Sequence, residues 1–283
     1  MDNDAAPTTR TSTAPDRHPR TWFVTGSSRG FGYEWADAAL SRGDRVAATA
    51  RDLERLGPLV QRYHDAVLPL RLEVTDRDAV FAAVQQAADH FGSVDVLVNN
   101  AGYGHFGMVE ELSERDIRNQ LETNFFGALW VTQAVLPLMR AQRSGRILQV
   151  TSEGGVRAYP GIGAYHASKW ALEGLSESLW QEVEEFGIHV TNVEPGPYAT
   201  DWLGRGARRS EELDAYGGQR ENASQEWQVG DPQHTRAAIL ELVDADQPPH
   251  RLILGRPYDE VAAIYAERLE TWQAWQPVAL AAF

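Results

Sequence analysis

Thr25-Gly26-Ser27-Ser28-Arg29-Gly30-Phe31-Gly32 decides the fold. It follows a short apolar run at residues 22–25 and precedes a helical pattern at 32–40. Gly26, Gly30 and Gly32 form a GxxxGxG spacing at a strand-to-helix turn. Glycine permits the tight turn and lets a pyrophosphate approach the backbone. The helix that follows offers its N-terminal amides and dipole to that anion. After a first strand and before a helix, the triplet signals a dinucleotide site. Gly26, Ser28, Arg29, Gly30, Phe31 and Gly32 are its first candidate contacts.

The rest of the chain repeats that alternation. Strand patterns fall at residues 22–25, 45–50, 67–74, 94–99, 146–151, 189–194 and 251–254. Most are continuous Val/Leu/Ile runs, as strands buried on both faces require. Helical patterns lie between them at 32–40, 52–64, 76–91, 113–143, 164–186 and 231–243. The order predicts an α/β fold: a doubly wound parallel sheet of about seven strands with helices on both faces. No internal repeat or linker interrupts it, so residues 21–283 read as one Rossmann-type domain. Residues 1–20 lack an apolar core and read as a disordered leader rather than a signal peptide.

Composition excludes several functions. The net charge of −14 argues against nucleic acid or an anionic membrane as main partner. There is no cysteine, so disulfides, thiolate zinc sites and cysteine nucleophiles are ruled out. The eight histidines show no metal-ligand spacing, and no metal is expected. No apolar run approaches the ~18 residues of a membrane-spanning helix, and a cytoplasmic location is expected.

Arg51 ends the second strand pattern, where a dinucleotide fold places the adenosine ribose. With Arg29 in the glycine turn, two arginines converge there in an acidic protein. That favours NADP(H) over NAD(H), although both could be ordinary solvated arginines and Asp52 leaves room for NAD(H). Glu73 and Val74 close the third strand pattern, where an acid could meet the adenine amino group. Asn99, Ala101 and Gly102 sit where the fourth strand ends, with room for a flat cofactor.

Tyr165-His166-Ala167-Ser168-Lys169 carries the chemistry. Lys169 is the only lysine, every other basic residue among the 26 being arginine. On a helix, i and i+4 share a face, so the phenol and the ammonium can point into one site. Ser152 ends the fifth strand pattern thirteen residues before Tyr165, with glycines between that let a loop fold. Asn124 lies in an apolar stretch and must find partners.

In this order the motifs resemble the short-chain dehydrogenase/reductase (SDR) family. The matching residues are the glycine turn, Asn99-Asn100-Ala101-Gly102, Asn124, Ser152, Tyr165-x-x-x-Lys169, Pro195-Gly196 and Thr200. Residues 100–104 with Gly107 and Glu110-Glu111 resemble the branch of hydroxysteroid and retinol dehydrogenases. The resemblance implies a ketone or aldehyde interconverted with an alcohol by hydride transfer (the CH–OH donor class), with Tyr165 as acid/base. Lys169 would lower the Tyr165 pKa and bond the nicotinamide ribose. Ser152 would hold the substrate oxygen, and Asn124 a water linking Lys169 to solvent. Pro195 and Gly196 would flank the nicotinamide, and Thr200 would anchor its carboxamide. Relatives pair through the helices at 113–143 and 164–186, which implies a homodimer or homotetramer. An epimerase or dehydratase on the same scaffold, or a non-catalytic nucleotide-binding regulator, are the alternatives.

Glu73 replaces the aspartate usual in the family. Glu153, beside Ser152, is expected to point away from the site because burying it would be costly. A substrate lid is expected at about 200–228, with Trp202, Tyr216 and Trp227. Tyr103, His105, Phe106, Tyr159, Tyr198 and Trp202 are candidates for an aromatic pocket, which favours a bulky apolar substrate. The apolar tail after Trp272 could lie on a neighbouring subunit or over the lid.

Overall fold

Consecutive residues of the first strand bury opposite faces of one sheet. In the computed structural model, which describes residues 18–202, 204, 206–223 and 228–283, Trp22, Phe23 and Val24 are all fully buried. Trp22 and Val24 join one core, and Phe23 joins the other. That two-sided burial is why the run reads as continuous apolar sequence rather than as an alternation. Residues 1–17 of the expected leader and Trp227 of the expected lid lie outside the described residues. Arg20 is tied to the body by its amide to Asp44 and its guanidinium to the Val243 carbonyl.

The strands in chain order are β1 (Thr21–Val24), β2 (Arg45–Ala50), β3 (Val67–Arg71), β4 (Val96–Asn99), β5 (His105–Phe106), β6 (Gly145–Val150), β7 (Ile188–Pro195), β8 (Arg208–Arg209) and β9 (Arg251–Leu254). Seven form one parallel sheet in the order β3-β2-β1-β4-β6-β7-β9. β5 and β8 make a separate two-stranded ribbon that sequence patterning did not anticipate. Helices α1 (Gly30–Ser41), α2 (Gly57–Tyr63), α3 (Arg77–Phe91), α4 (Glu114–Leu121), α5 (Gly127–Gln142), α6 (Gly163–Val183), α7 (Gly217–Ala223), α8 (Arg236–Asp244) and α9 (Tyr258–Ala281) complete the chain. α1, α2 and α8 cover one face through Trp35, Leu59 and Ile239, and α3, α5 and α6 cover the other through Val84, Val131 and Leu179. Among the described residues, no helix is long and apolar enough to cross a membrane.

Chain direction along the sheet reverses between β1 and β4. In open parallel sheets the crevice outside the carboxyl ends at that point is where ligands bind. Gly26 follows β1 and Asn100 follows β4, so both motifs meet there.

Two stretches depart from their patterns. The single helix expected over 113–143 is split by one π turn, Glu122–Phe126, which carries Asn124. Such wide turns let a helix present a residue that the regular ladder would turn away. The tail after Trp272 is no separate segment but the second half of α9.

Candidate active site

A cavity of about 770 Å³ opens at the carboxyl ends of the strands. Its glycine wall is built by steric need. Gly26 has φ +70° and Gly30 φ +55°, conformations that side-chain-bearing residues rarely adopt. A Cβ on Gly32 would stand 2.4 Å from the Gly26 carbonyl oxygen. Gly32 therefore serves close packing of the turn and does not line the cavity, whereas Gly26, Ser28, Arg29, Gly30 and Phe31 do.

The Asn99 side chain does not line the cavity. Its amide nitrogen donates to the Ala128 carbonyl, Thr132 Oγ1 and Gln149 Oε1 beneath the sheet. Adjacent strand residues face opposite ways, and Asn100 is the one in the cavity. The Asn100 side chain donates to the carbonyls of Thr25 and Gly26 at 2.9 and 3.2 Å, holding the glycine turn against β4. Ala101, Gly102, Glu73, Val74, Pro195, Gly196 and Thr200 line the same cavity. Arg51 stands at its edge, largely exposed, with Glu73 3.8 Å away. Arg29 pairs with Asp201 at 2.6 Å, joining the glycine turn to the stretch expected to form a lid.

Tyr165 and Lys169, one turn apart on α6, face this cavity together. The Lys169 ammonium lies 5.8 Å from the Tyr165 ring centroid and donates to the Val150 carbonyl at 2.7 Å. The Ser152 hydroxyl is hydrogen-bonded to the Tyr165 phenol and accepts from the Gly154 amide at 2.9 Å. Asn124 stands behind them, outside the cavity lining. Its amide nitrogen donates to the Tyr103 carbonyl and Ser168 Oγ at 3.0 Å each, and its carbonyl oxygen accepts from the Tyr103 amide. The side chain is thus fully committed to fixing the segment after β4.

Burial rules the electrostatics. It pushes the Tyr165 phenol up to about 12, which the Ser152 hydrogen bond opposes and the Glu153 charge reinforces. It brings the Lys169 ammonium down to about 8, against the pull of Glu173. Desolvation is the largest influence at both groups.

Glu153 also departs from expectation. It is buried, and its carboxylate accepts from the Arg157 guanidinium at 2.5 Å. Arg157, four residues on, offsets part of the cost of that burial, which still holds the Glu153 carboxyl above its ordinary range. His166, next to Tyr165, is held neutral by burial and braces this loop at both ring nitrogens: one meets the Gly154 carbonyl at 2.7 Å and the other accepts the Tyr159 amide.

Of the aromatic pocket candidates, Tyr103, Tyr159, Tyr198 and Trp202 line the cavity. His105 and Phe106 do not. They form β5, with His105 bonded to Ser210 and the Phe106 ring tilted against Trp202 at 5.1 Å. Trp202 in turn meets the Tyr165 ring edge-on at 5.0 Å. Two described residues of the stretch expected to form a lid are tied down: Tyr216 donates to Glu110 and Arg220 pairs with Glu111, each at 2.5 Å.

A family model for short chain dehydrogenases matches residues 20–210. This chain belongs to the short-chain dehydrogenase family. It is 41% identical to oxidoreductase BOA17 of Botryotinia fuckeliana over 92% of this chain and 98% of that protein. It is 36% identical to 3-ketodihydrosphingosine reductase of Bacteroides thetaiotaomicron over 84% of this chain and 88% of that one. Among solved structures, a short-chain dehydrogenase from Streptomyces avermitilis superposes with a TM-score of 0.88 at 39% identity, covering 94% of this chain and all of that one. An alcohol dehydrogenase from Thermococcus sibiricus complexed with 5-hydroxy-NADP superposes at 0.71 with 26% identity, covering 85% of this chain and 99% of that one. As a short-chain dehydrogenase the chain is an oxidoreductase that binds NAD(P), and the glycine cradle fits such a cofactor's pyrophosphate.

Beyond Lys169, a partly buried charge cluster ties this dehydrogenase's α6 to β7 and β9. Arg251 bridges Glu173, Glu177 and Glu194, and Asn192 donates to Glu173 at 2.5 Å. Burial and the Glu173 charge raise the Glu194 carboxyl to about 7. A raised acid stabilises the fold fully below its unfolded pKa, and that contribution is lost as pH rises through about 7. Thermal melts between about pH 5 and pH 8 are expected to show Tm falling toward the alkaline end, and Glu194→Gln to flatten that fall. An unchanged slope in the variant would remove Glu194 as its source.

Proposed function

We propose that this protein interconverts a ketone or aldehyde with an alcohol, using NADP(H) in preference to NAD(H), with Tyr165 as the acid/base. One observation carries the reading: the Tyr165 phenol, Ser152 hydroxyl and Lys169 ammonium come together in the cleft that holds the glycine turn. When bound, the dinucleotide supplies the hydride chemistry, and its oxidised ring the positive charge that favours a phenolate. Gly26, Ser28, Arg29, Gly30 and Phe31 would hold its phosphates, Glu73 and Val74 its adenine, and Ala101, Gly102, Pro195, Gly196 and Thr200 the remainder.

With its pKa raised by burial, Tyr165 keeps its proton near neutrality and is set to donate it to a carbonyl oxygen. Ser152 bonds the same oxygen and stabilises the charge that develops there. Lys169 holds the ribose hydroxyls and carries a proton toward Tyr165. The Asn124 amide nitrogen spends both hydrogens on the Tyr103 carbonyl and Ser168 Oγ, so it has none left for the water expected at this residue. Tyr159, Tyr198, Trp202 and Ile162 give the substrate side an apolar, aromatic lining, which supports a bulky apolar ketone as substrate. The similarity to a 3-ketodihydrosphingosine reductase supports the ketone class. A panel of ketones and alcohols followed by nicotinamide absorbance tests this; turnover of a sugar and of no aromatic or alicyclic ketone contradicts the substrate class. Pairing through α5 and α6 into a dimer or tetramer belongs to the same proposal.

Cofactor preference rests on Arg29 and Arg51. The NADP analogue in the Thermococcus sibiricus relative supports it. Among the described residues, Arg51 pairs with one loose, exposed carboxylate, Glu73, which offsets little of its charge. Arg51→Ala is expected to weaken NADPH binding about 10-fold and leave NADH nearly unmoved. Asp201→Asn removes the competitor for Arg29 and is expected to tighten NADPH in a fluorescence titration. Equal losses for both cofactors in Arg51→Ala contradict the clamp.

A further inference from the structure

α9 carries an apolar stripe that its own fold covers only in part. Val261, Tyr265, Arg268, Trp272, Trp275 and Ala279 succeed one another at steps of four, three, four, three and four residues. That 3.5-residue period places them in one seam, the pattern of a helix that packs against another helix. The seam begins on the body. Val261 is buried, Glu260 pairs with Arg157, and the Arg268 guanidinium lies 4.9 Å over the Trp170 ring of α6. It then runs on uncovered, with Trp272 69% and Trp275 65% exposed.

Stability, area and charge choose what covers it. A helical half of this length is marginal in water without packing, and Pro277 weakens it further by breaking the hydrogen-bond ladder. Tyr265, Leu269, Trp272, Trp275 and Leu280 together offer roughly 600 Å² of side-chain surface per copy, near the ~800 Å² per partner of a standard specific interface. The back of the helix carries Asp259, Glu267 and Glu270 on a chain of net charge −14, which repels an anionic membrane. In a two-fold pair one patch serves both partners, and here the acidic backs turn outward.

We propose that the exposed seam of α9 packs against the same seam of a second copy of this chain. The exposed part of the seam runs on beyond the Arg268 contact with Trp170 of α6 and adds its own step to the assembly. Light scattering on the full-length protein is expected to give a multimer, and Trp272→Glu/Trp275→Glu to lower its mass by at least half with the circular dichroism kept. The chain has no cysteine, so single cysteines report locally. Ala279→Cys, on the seam, is expected to react with a maleimide at least ten times more slowly than Ala274→Cys on the opposite face. The tryptophan double variant should abolish that protection. A monomeric wild type, an unchanged mass in the double variant, equal maleimide rates, or a monomer that floats with neutral phosphatidylcholine vesicles would each overturn the proposal.

Discussion

Tyr165→Phe is expected to lower kcat by about 10²–10⁴-fold, the range that positioned proton transfer contributes, while cofactor binding stays within a few-fold of wild type. The substitution removes one oxygen and keeps the ring. The ring's packing against Trp202 at 5.0 Å and beside His166 is retained, so the cleft keeps its shape. What is lost is the proton that burial holds on the phenol, together with the Ser152 hydrogen bond. Steady-state rates and a nucleotide titration on the same preparation separate the two effects. A variant that keeps more than a tenth of the activity would take Tyr165 out of the chemistry.

Lys169→Arg tests shape at constant charge. The ammonium sits buried, donates to the Val150 carbonyl at 2.7 Å, and stands 3.7 Å from where a Cβ on Gly102 would lie. A planar guanidinium with five donors cannot take that slim place without displacing the backbone around it. A loss of about 10²-fold in kcat is expected, with a raised KM for the cofactor. An arginine variant near wild-type activity would mean that positive charge alone suffices and that the solitary lysine is incidental.

Much of this site was legible because its residues answer local demands. The glycine turn at 26–32 announces itself, since no other residue fits φ +70° at Gly26 or the 2.4 Å approach at Gly32 without strain. The apolar runs named the strands because both faces of this sheet are covered. Tyr165 and Lys169 are one helical turn apart, so their shared face followed from spacing. What escaped the sequence depended on partners far along the chain, or on which side of a strand a residue faces. Asn99 and Asn100 are alike in type, and only their register separates the buried brace from the cavity residue. Arg29 met Asp201, which lies 172 positions away. Glu153 was legible in principle, because Arg157 follows at i+4, the spacing that pairs charges on a helical turn. The ionisation of Tyr165 and Lys169 could not be read at all, since desolvation appears only once the fold has closed around them.

In the proposed reaction, hydride passes to a carbonyl carbon beside Tyr165. Reduction of an aromatic ketone with NADPH deuterated at C4, followed by mass spectrometry of the product, reads that event directly. Deuterium bonded to the carbinol carbon, in step with cofactor oxidised and absent in Tyr165→Phe, is the predicted result. A product formed without the label, or with the cofactor returned unchanged, would contradict it.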